Sequence, residues 1–226
     1  MRILNCSVLI TCKDKEEFLD ECLNSIRRQT AQPKEVILVH DQCSEPKAHV
    51  IADTIILRDH VGVAKARQEA FRYSSGELVL FLDGDDAISP DFLEKTTLAI
   101  AEGFDIAYPD TYFWDEGGSS SLFVTPDKMD IEFVSKHKRT SLPVTCLMKR
   151  RVYEGIGGFR ELPVLEDLDF WLRAMCNDCT FTKAQTLLWY RQTNATRNRI
   201  DERKKRAVLN QVLAQFKITD KEITYA

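Results

Sequence analysis

The segment FLDGDD, residues 81–86, runs an apolar stretch straight into three carboxylates, Asp83, Asp85 and Asp86, interrupted by one glycine. Carboxylates this close repel one another unless a cation or protonation compensates. A hard divalent ion such as Mg²⁺ or Mn²⁺ takes one or two carboxylates and fills its other positions with phosphate oxygens and water. The cluster is therefore read as a metal-binding site. Gly84 is expected to let the backbone turn sharply and approach a ligand closely. A purely structural reading has Asp85 and Asp86 begin a turn, with Ser89 capping a helix that carries Pro90 at its first position. That accounts for Ser89 and Pro90 and leaves Asp83 unexplained.

A second acidic cluster lies in LEDLDFWLR, residues 165–173, where Glu166, Asp167 and Asp169 stand at the start of a helical pattern. Acids in a first turn are favoured by the helix dipole in any case. Adjacent helical positions also point about 100° apart, so Glu166 and Asp167 cannot both serve one atom. A carboxylate here matters only if the fold brings it opposite Asp83 and Asp85. Phe170 and Trp171 are read as packing residues. His40 and His60 flank the same region, but lone histidines at strand ends are usually structural. The seven cysteines are odd in number and scattered. Cys6, Cys12, Cys22, Cys43 and Cys146 read as buried free thiols. Cys176 and Cys179 form a C-x-x-C that lacks two further ligands for structural zinc.

These residues need elements to position them. Ser7–Thr11 reads as a strand, and Glu16–Gln29 places Phe18, Leu19, Cys22, Leu23 and Ile26 on one helical face. Strands follow at Glu35–Val39, Thr54–Leu57 and Glu77–Leu82, with helical patterns near Lys47–Ala52 and Val63–Tyr73. Strands apolar on both faces, alternating with helices, predict an α/β fold with a mostly parallel central sheet flanked by helices. Beyond Pro90 the pattern is less regular. It gives a helix over Asp91–Glu102, an extended Phe104–Trp114, a polar loop over 117–121, a strand over Pro143–Met148, a helix over Leu165–Met175 and a strand over Thr186–Trp189. Val208, Leu209, Val212, Leu213 and Phe216 then share one helical face. With 226 residues the expectation is one domain: a ligand-binding half over 1–100, a second half over 101–200 and an amphipathic helix over 201–226.

Composition narrows the function. Hydrophobic residues at 44% supply a core and exclude a disordered chain. A formal charge of −4 argues against nucleic-acid binding by the whole surface. Apolar runs such as Leu78–Leu82 are too short to span a bilayer, and Met1–Cys6 opens without an apolar signal-peptide core. The expectation is a soluble cytoplasmic protein. Local basic runs, Lys136–Arg139 and the stretch 191–206 with seven basic and two acidic residues, suit anionic headgroups or a nucleic-acid acceptor, so peripheral membrane contact is kept open.

The two acidic clusters, in this order and spacing, resemble the family 2 glycosyltransferases of the GT-A fold. The resemblance runs from Ser7 to about Thr196 through SVLITCKDKEEFLDECLNSIRRQ, VILVHDQCSE, VGVAKARQEAF, SSGELVLFLDGDD, GGF at 157–159 and LEDLDFWLR. It implies a GT-A Rossmann-like fold with a second, acceptor-binding half, a nucleotide-sugar donor that is usually UDP-linked, a Mn²⁺ or Mg²⁺ ion, and inversion at the sugar carbon. By that analogy Asp41 contacts the nucleobase and Thr11 lines the same pocket. Asp83 lies near the ribose and the metal shell, Asp85 binds the metal, and Asp167 is the general base. Arg67 holds the diphosphate or neutralises the aspartates. The acceptor is an unidentified hydroxyl, on a glycan, a lipid-linked sugar, a protein or a nucleic acid. From its basic charge and its lack of an apolar period, the segment Tyr190–Arg206 is read either as a stretch that orders over the diphosphate, with Arg191 or Arg197 in contact with it, or as a solvated linker.

Two departures from the family pattern stand out. Where many members have Asp-Asp-Gly-Ser, this chain has His40-Asp41-Gln42-Cys43, and where many have Tyr-Arg-x-His it has Tyr190-Arg191-Gln192-Thr193. The competing readings are a catalytically inactive nucleotide-sugar or carbohydrate-binding module, and a nucleotidyltransferase of similar fold. The latter needs a glycine-rich basic loop, and Thr11–Lys15 contains no glycine.

Overall fold

The strand expected at Ser7–Thr11 is the centre of a longer one, β1 (Arg2–Cys12), in a computed structural model that describes residues 2–42, 51–57, 59–137, 141–192 and 202–218. The chain continues through α1 (Glu16–Arg27), β2 (Ala31–Asp41), β3 (Asp53–Leu57), α2 (Val63–Arg72), β4 (Leu78–Asp83), β5 (Ala87–Ile88) and α3 (Phe92–Ala101). The second half holds β6 (Ile106–Trp114), β7 (Ser120–Phe123), α4 (Ile131–His137), β8 (Leu147–Lys149), α5 (Arg150–Gly155), α6 (Glu166–Cys176), β9 (Phe181–Arg191) and α7 (Glu202–Gln215).

Among the described residues the strands form one sheet in the order β3-β2-β1-β4-β8-β6-β9-β5, with β7 paired to β6. The long ladders are parallel: β2 and β4 on β1, β3 on β2, and β9 on β6. Short antiparallel pairs through β8 join the two parallel sets. Strand alternation sends successive side chains to opposite faces. Val8 and Ile10 of β1 accordingly pack with Leu19, Cys22, Leu23 and Ile26 of α1 and with Phe92 and Leu93 of α3. Leu9 joins the other face, with Ala64, Ala66 and Ala70 of α2 and Phe170 and Trp171 of α6. Both faces of the central strands are thus covered, which is why those strands read as continuous apolar runs.

The second half departs from expectation in three places. The strand expected over Pro143–Met148 is confined to β8, because the Cys146 N–H bonds to Val144 O at 2.8 Å and this tight turn takes the preceding residues out of the ladder. The polar run 117–121 is only partly loop. Asp115 organises a hairpin there, its Oδ1 accepting from Ser119 N at 2.9 Å, so Ser120 and Ser121 already belong to β7. The short helices α4 and α5 have no counterpart in the expected pattern, and neither does β5 in the first half. The helical stretch near Lys47–Ala52 falls largely outside the described residues, and Ile51 and Ala52 form a turn. The tail behaves as its periodicity requires: Val212 and Leu213 of α7 are buried against Val134 of α4 and Leu168 and Leu172 of α6.

Candidate active site

Strands β1, β2 and β4 end at one edge of the sheet, and the register sets Thr11 beside both Val39 and Asp83. Ligands of open α/β sheets bind beyond such carboxyl ends. A cavity of about 580 Å³ opens there, lined among others by Thr11, Lys15, Asp41, Asp83, Asp85 and Tyr190. Its size falls within the usual range for cofactor and small-molecule sites.

Each carboxylate of the FLDGDD segment is compensated in its own way. Asp83 Oδ1 accepts from Arg67 Nη2 at 2.9 Å and from Thr11 Oγ1 at 3.4 Å. Burial alone would raise its carboxyl, but the Arg67 guanidinium, together with the Lys15 charge and the Thr11 hydroxyl, holds it below the usual carboxylate range. Asp85 pairs directly with the Lys15 ammonium, and both side chains are buried. Burial lifts Asp86 well above the usual range, with the neighbouring Asp83 charge adding to the effect, so its neutral form is favoured. Its Oδ1 accepts from Arg191 N at 3.0 Å. Gly84 is needed for a reason other than a turn around a ligand. Its N–H bonds to Thr11 O at 2.9 Å, and a Cβ there would lie 3.1 Å from Cys12 Cβ. The turn is pressed against the end of β1.

Arg67 connects the two acidic clusters. It lies on α2, is 3% exposed, and donates through Nη1 to Glu166 Oε1 at 2.8 Å while Nη2 holds Asp83. The start of α6 is therefore one guanidinium away from the end of β4. A second set of contacts fixes α6 itself. Buried Asp169 pairs with Arg173 at 2.8 Å, and Arg173 donates to Ile156 O at 2.6 Å and Gly158 O at 2.7 Å. The Gly157-Gly158 pair, at φ 78° and 70°, is a structural turn that closes α5 and presents those carbonyls. Leu165 precedes α6 in the left-handed region at φ 63°, where a non-glycine residue is uncommon. Asp167 is half-buried on the first turn, and its carboxyl is pushed up to about 6 by burial, the Glu166 charge adding to the effect.

The structure brings Thr11, Asp41, Asp83 and Asp85 to the cavity, with Arg67 behind Asp83 and Asp167 on the helix that Arg67 tethers. Asp41 is 3% exposed, and its carboxylate accepts from His60 Nδ1 at 2.7 Å, Val61 N at 2.8 Å and Gly62 N at 3.1 Å. It thereby fixes the loop that leads into α2. Strand β9 turns Tyr190 toward the cavity and Arg191 toward α1. The Arg191 guanidinium lies 3.8 Å from the Trp114 ring centroid and 4.2 Å from that of Phe18, and it pairs with Glu21. Arg197 and residues 193–201 of the expected closing segment lie outside the described residues. The sequence reading gave Lys15 no role, and it could not pair Glu166 with Arg67, which is 99 residues away.

Comparison with known proteins places this geometry. The family model described as glycosyl transferase family 2 matches residues 7–156, which takes in Thr11, Asp41, Arg67, Asp83 and Asp85 and stops short of α6. The glycosyltransferase MJ1057 of Methanocaldococcus jannaschii is 26% identical over 83% of this chain and 70% of its own length. YwdF of Bacillus subtilis, also named a glycosyltransferase, is 30% identical over 74% of this chain and 67% of its own. Among solved structures, residues 1–349 of S. aureus TarS with UDP-GlcNAc superpose with a TM-score of 0.73, at 19% identity over 98% of this chain and 68% of that one. The fold is thus that of the GT-A enzymes, and with two thirds of its length matched by the family model the chain belongs to glycosyl transferase family 2 and is a glycosyltransferase.

Proposed function

We propose that this enzyme transfers a sugar, with inversion, from a UDP-linked donor to a hydroxyl acceptor, with Asp167 as general base and Asp85, assisted by Asp83, holding a divalent cation. The observation that carries the reading is the bridge from Asp83 through Arg67 to Glu166. One side chain ties the donor-side carboxylates to the helix turn that bears the base. The TarS neighbour solved with UDP-GlcNAc supports a UDP-sugar donor.

Inverting transfer needs a base on the acceptor side and charge stabilisation on the leaving-group side. The sugar passes through an oxocarbenium-like state while negative charge gathers on the departing diphosphate. Asp85 fits a hard cation: it is an oxygen donor lining the cavity, and a cationic group, the Lys15 ammonium, already pairs with it. Mn²⁺ or Mg²⁺ bound there would stabilise the diphosphate charge. An ion held by Asp85 would displace the Lys15 ammonium, which lines the same cavity and could then meet the diphosphate charge. Thr11 and Asp41 line the part of the cavity assigned to the nucleoside. A carboxyl near 6 is ionised at neutral pH and accepts a proton more readily than an ordinary aspartate, as a general base requires.

Asp167→Asn separates chemistry from binding. UDP affinity by calorimetry should survive while transfer falls by roughly 10²–10⁴, the usual contribution of acid–base catalysis. Normal turnover by this variant would remove Asp167 from the mechanism.

A further inference from the structure

We propose that Cys12, Glu16 and His40 form a second and chemically softer metal site, suited to Zn²⁺, against the end of the donor cavity. Cys12 and His40 are register partners at the ends of the parallel strands β1 and β2, and Glu16 opens α1 four residues after Cys12. The Cys12 sulfur, a His40 ring nitrogen and a Glu16 carboxylate oxygen all lie within 4.8 Å of one another. His40 Nδ1 is 3.9 Å from Glu16 Oε1. Ligands about 2.0–2.3 Å from a tetrahedral zinc stand roughly 3.3–3.8 Å apart, so the three donors need to close by only about 1 Å. Glu16, partly exposed at a helix start while Cys12 and His40 are buried, is the donor that would make that adjustment.

The donor set decides the metal. A thiolate with an imidazole favours zinc and its neighbours in the transition series, whereas an all-oxygen site at Asp83 and Asp85 favours Mg²⁺ or Mn²⁺. Two cation sites at the same sheet edge would therefore sort different metals. Three protein ligands match zinc sites that keep a fourth position for water or another donor, and Cys12 also lines the donor cavity. The site touches the proposed catalytic apparatus twice. Glu16 follows Lys15, the partner of Asp85, and Gly84 is packed on Cys12 so closely that a Cβ would sit 3.3 Å from its sulfur. His40 also stands where many family members carry aspartate, so the site belongs to this chain's own sequence.

Co²⁺ is the direct probe, because a cobalt–thiolate bond gives a near-ultraviolet charge-transfer band that oxygen ligands do not. The full chain carrying Cys176→Ser and Cys179→Ser, without any nucleotide sugar, should show that band on titration with Co²⁺ and lose it on addition of Zn²⁺. The band should persist with Asp85→Asn, which excludes the carboxylate site as its source, and disappear with Cys12→Ser or His40→Gln. Glu16→Gln alters a partly exposed side chain and leaves the buried pair intact. It should weaken Zn²⁺ binding by at least roughly the 10–100-fold that loss of an outer-shell partner costs. Absence of the band at saturating Co²⁺, its survival in Cys12→Ser, or unchanged Zn²⁺ affinity in Glu16→Gln would each overturn the proposal. None of these readouts depends on glycosyl transfer, so the donor and base assignments stand or fall separately.

Discussion

Arg67 donates to Glu166 Oε1 at 2.8 Å and, with its other terminal nitrogen, to Asp83 Oδ1 at 2.9 Å. A buried guanidinium so placed compensates carboxylates from two distant parts of the chain. Removing one member of a buried charged set strands the others, at about 3–5 kcal/mol. Arg67→Met should lower stability by that order in urea titration. It should also raise the pH at which Asp167 ionises, since the positive charge that favours its carboxylate is gone. A stable Arg67→Met protein with an unchanged pH profile would show that the bridge is incidental.

With Asp167 as the proposed base, its raised carboxyl predicts an acid limb. A general base acts only when ionised, so transfer should be full above and fall as pH drops through about 6. Glu166 is the neighbouring charge that pushes Asp167 upward. Glu166→Gln should therefore move the limb to lower pH, opposite in direction to Arg67→Met. The kcat/KM profile of the two variants checks the sign, and shifts in the same direction would contradict the assigned electrostatics.

Lys15 pairs with Asp85, so the cation proposed for Asp85 would have to compete with its ammonium. Lys15→Met removes the internal cation and leaves Asp85 in need of another, so Mn²⁺ affinity measured without donor should increase, by several-fold or more. Transfer should nevertheless fall if the released ammonium also serves the diphosphate. Unchanged Mn²⁺ affinity by calorimetry would mean that the ion does not bind at Asp85.

Much of this arrangement was legible before the fold was known, for identifiable reasons. Branched apolar runs and 3.6-residue periods give β1, α1, β2, α2 and β4, because both faces of those strands are covered and the helices each bury one side. Asp83 and Asp85 stand out because carboxylates directly after an apolar strand have few structural uses. What could not be read depends on register or on distance in sequence. The Cys12–His40 pairing appears only when β1 and β2 are aligned. The partner of Glu166 lies on α2, and nothing local to LEDLD indicates it. The bracing of Arg191 between Phe18 and Trp114 joins three separate elements, and nothing local to Tyr190-Arg191 indicates it. β8 is short because a turn at 144–146, made of residues with strand propensity, removes them from the ladder.

Gly84 tests how tightly the turn that carries Asp83 and Asp85 is built. It does not adopt a left-handed conformation; its constraint is the neighbouring strand. A methyl group at this position would meet Cys12 Cβ at 3.1 Å and the Thr11 carbonyl oxygen at 3.2 Å. The Thr11 carbonyl cannot retreat easily, since it already accepts the Gly84 N–H at 2.9 Å. Gly84→Ala should therefore push Asp83 and Asp85 outward and cost about 1–3 kcal/mol, the usual range for overpacking. The displacement should show as weaker Mn²⁺ and UDP binding even at temperatures where the variant is fully folded. Gly103→Ala is the control, because a Cβ there meets nothing within 4 Å, and its φ of 112° confines the cost to local backbone strain remote from the cavity. Calorimetric affinities compared between the two variants separate the effects. If both lose the same stability and both bind UDP normally, the turn has slack, and the position of Asp85 is not set by its contact with β1.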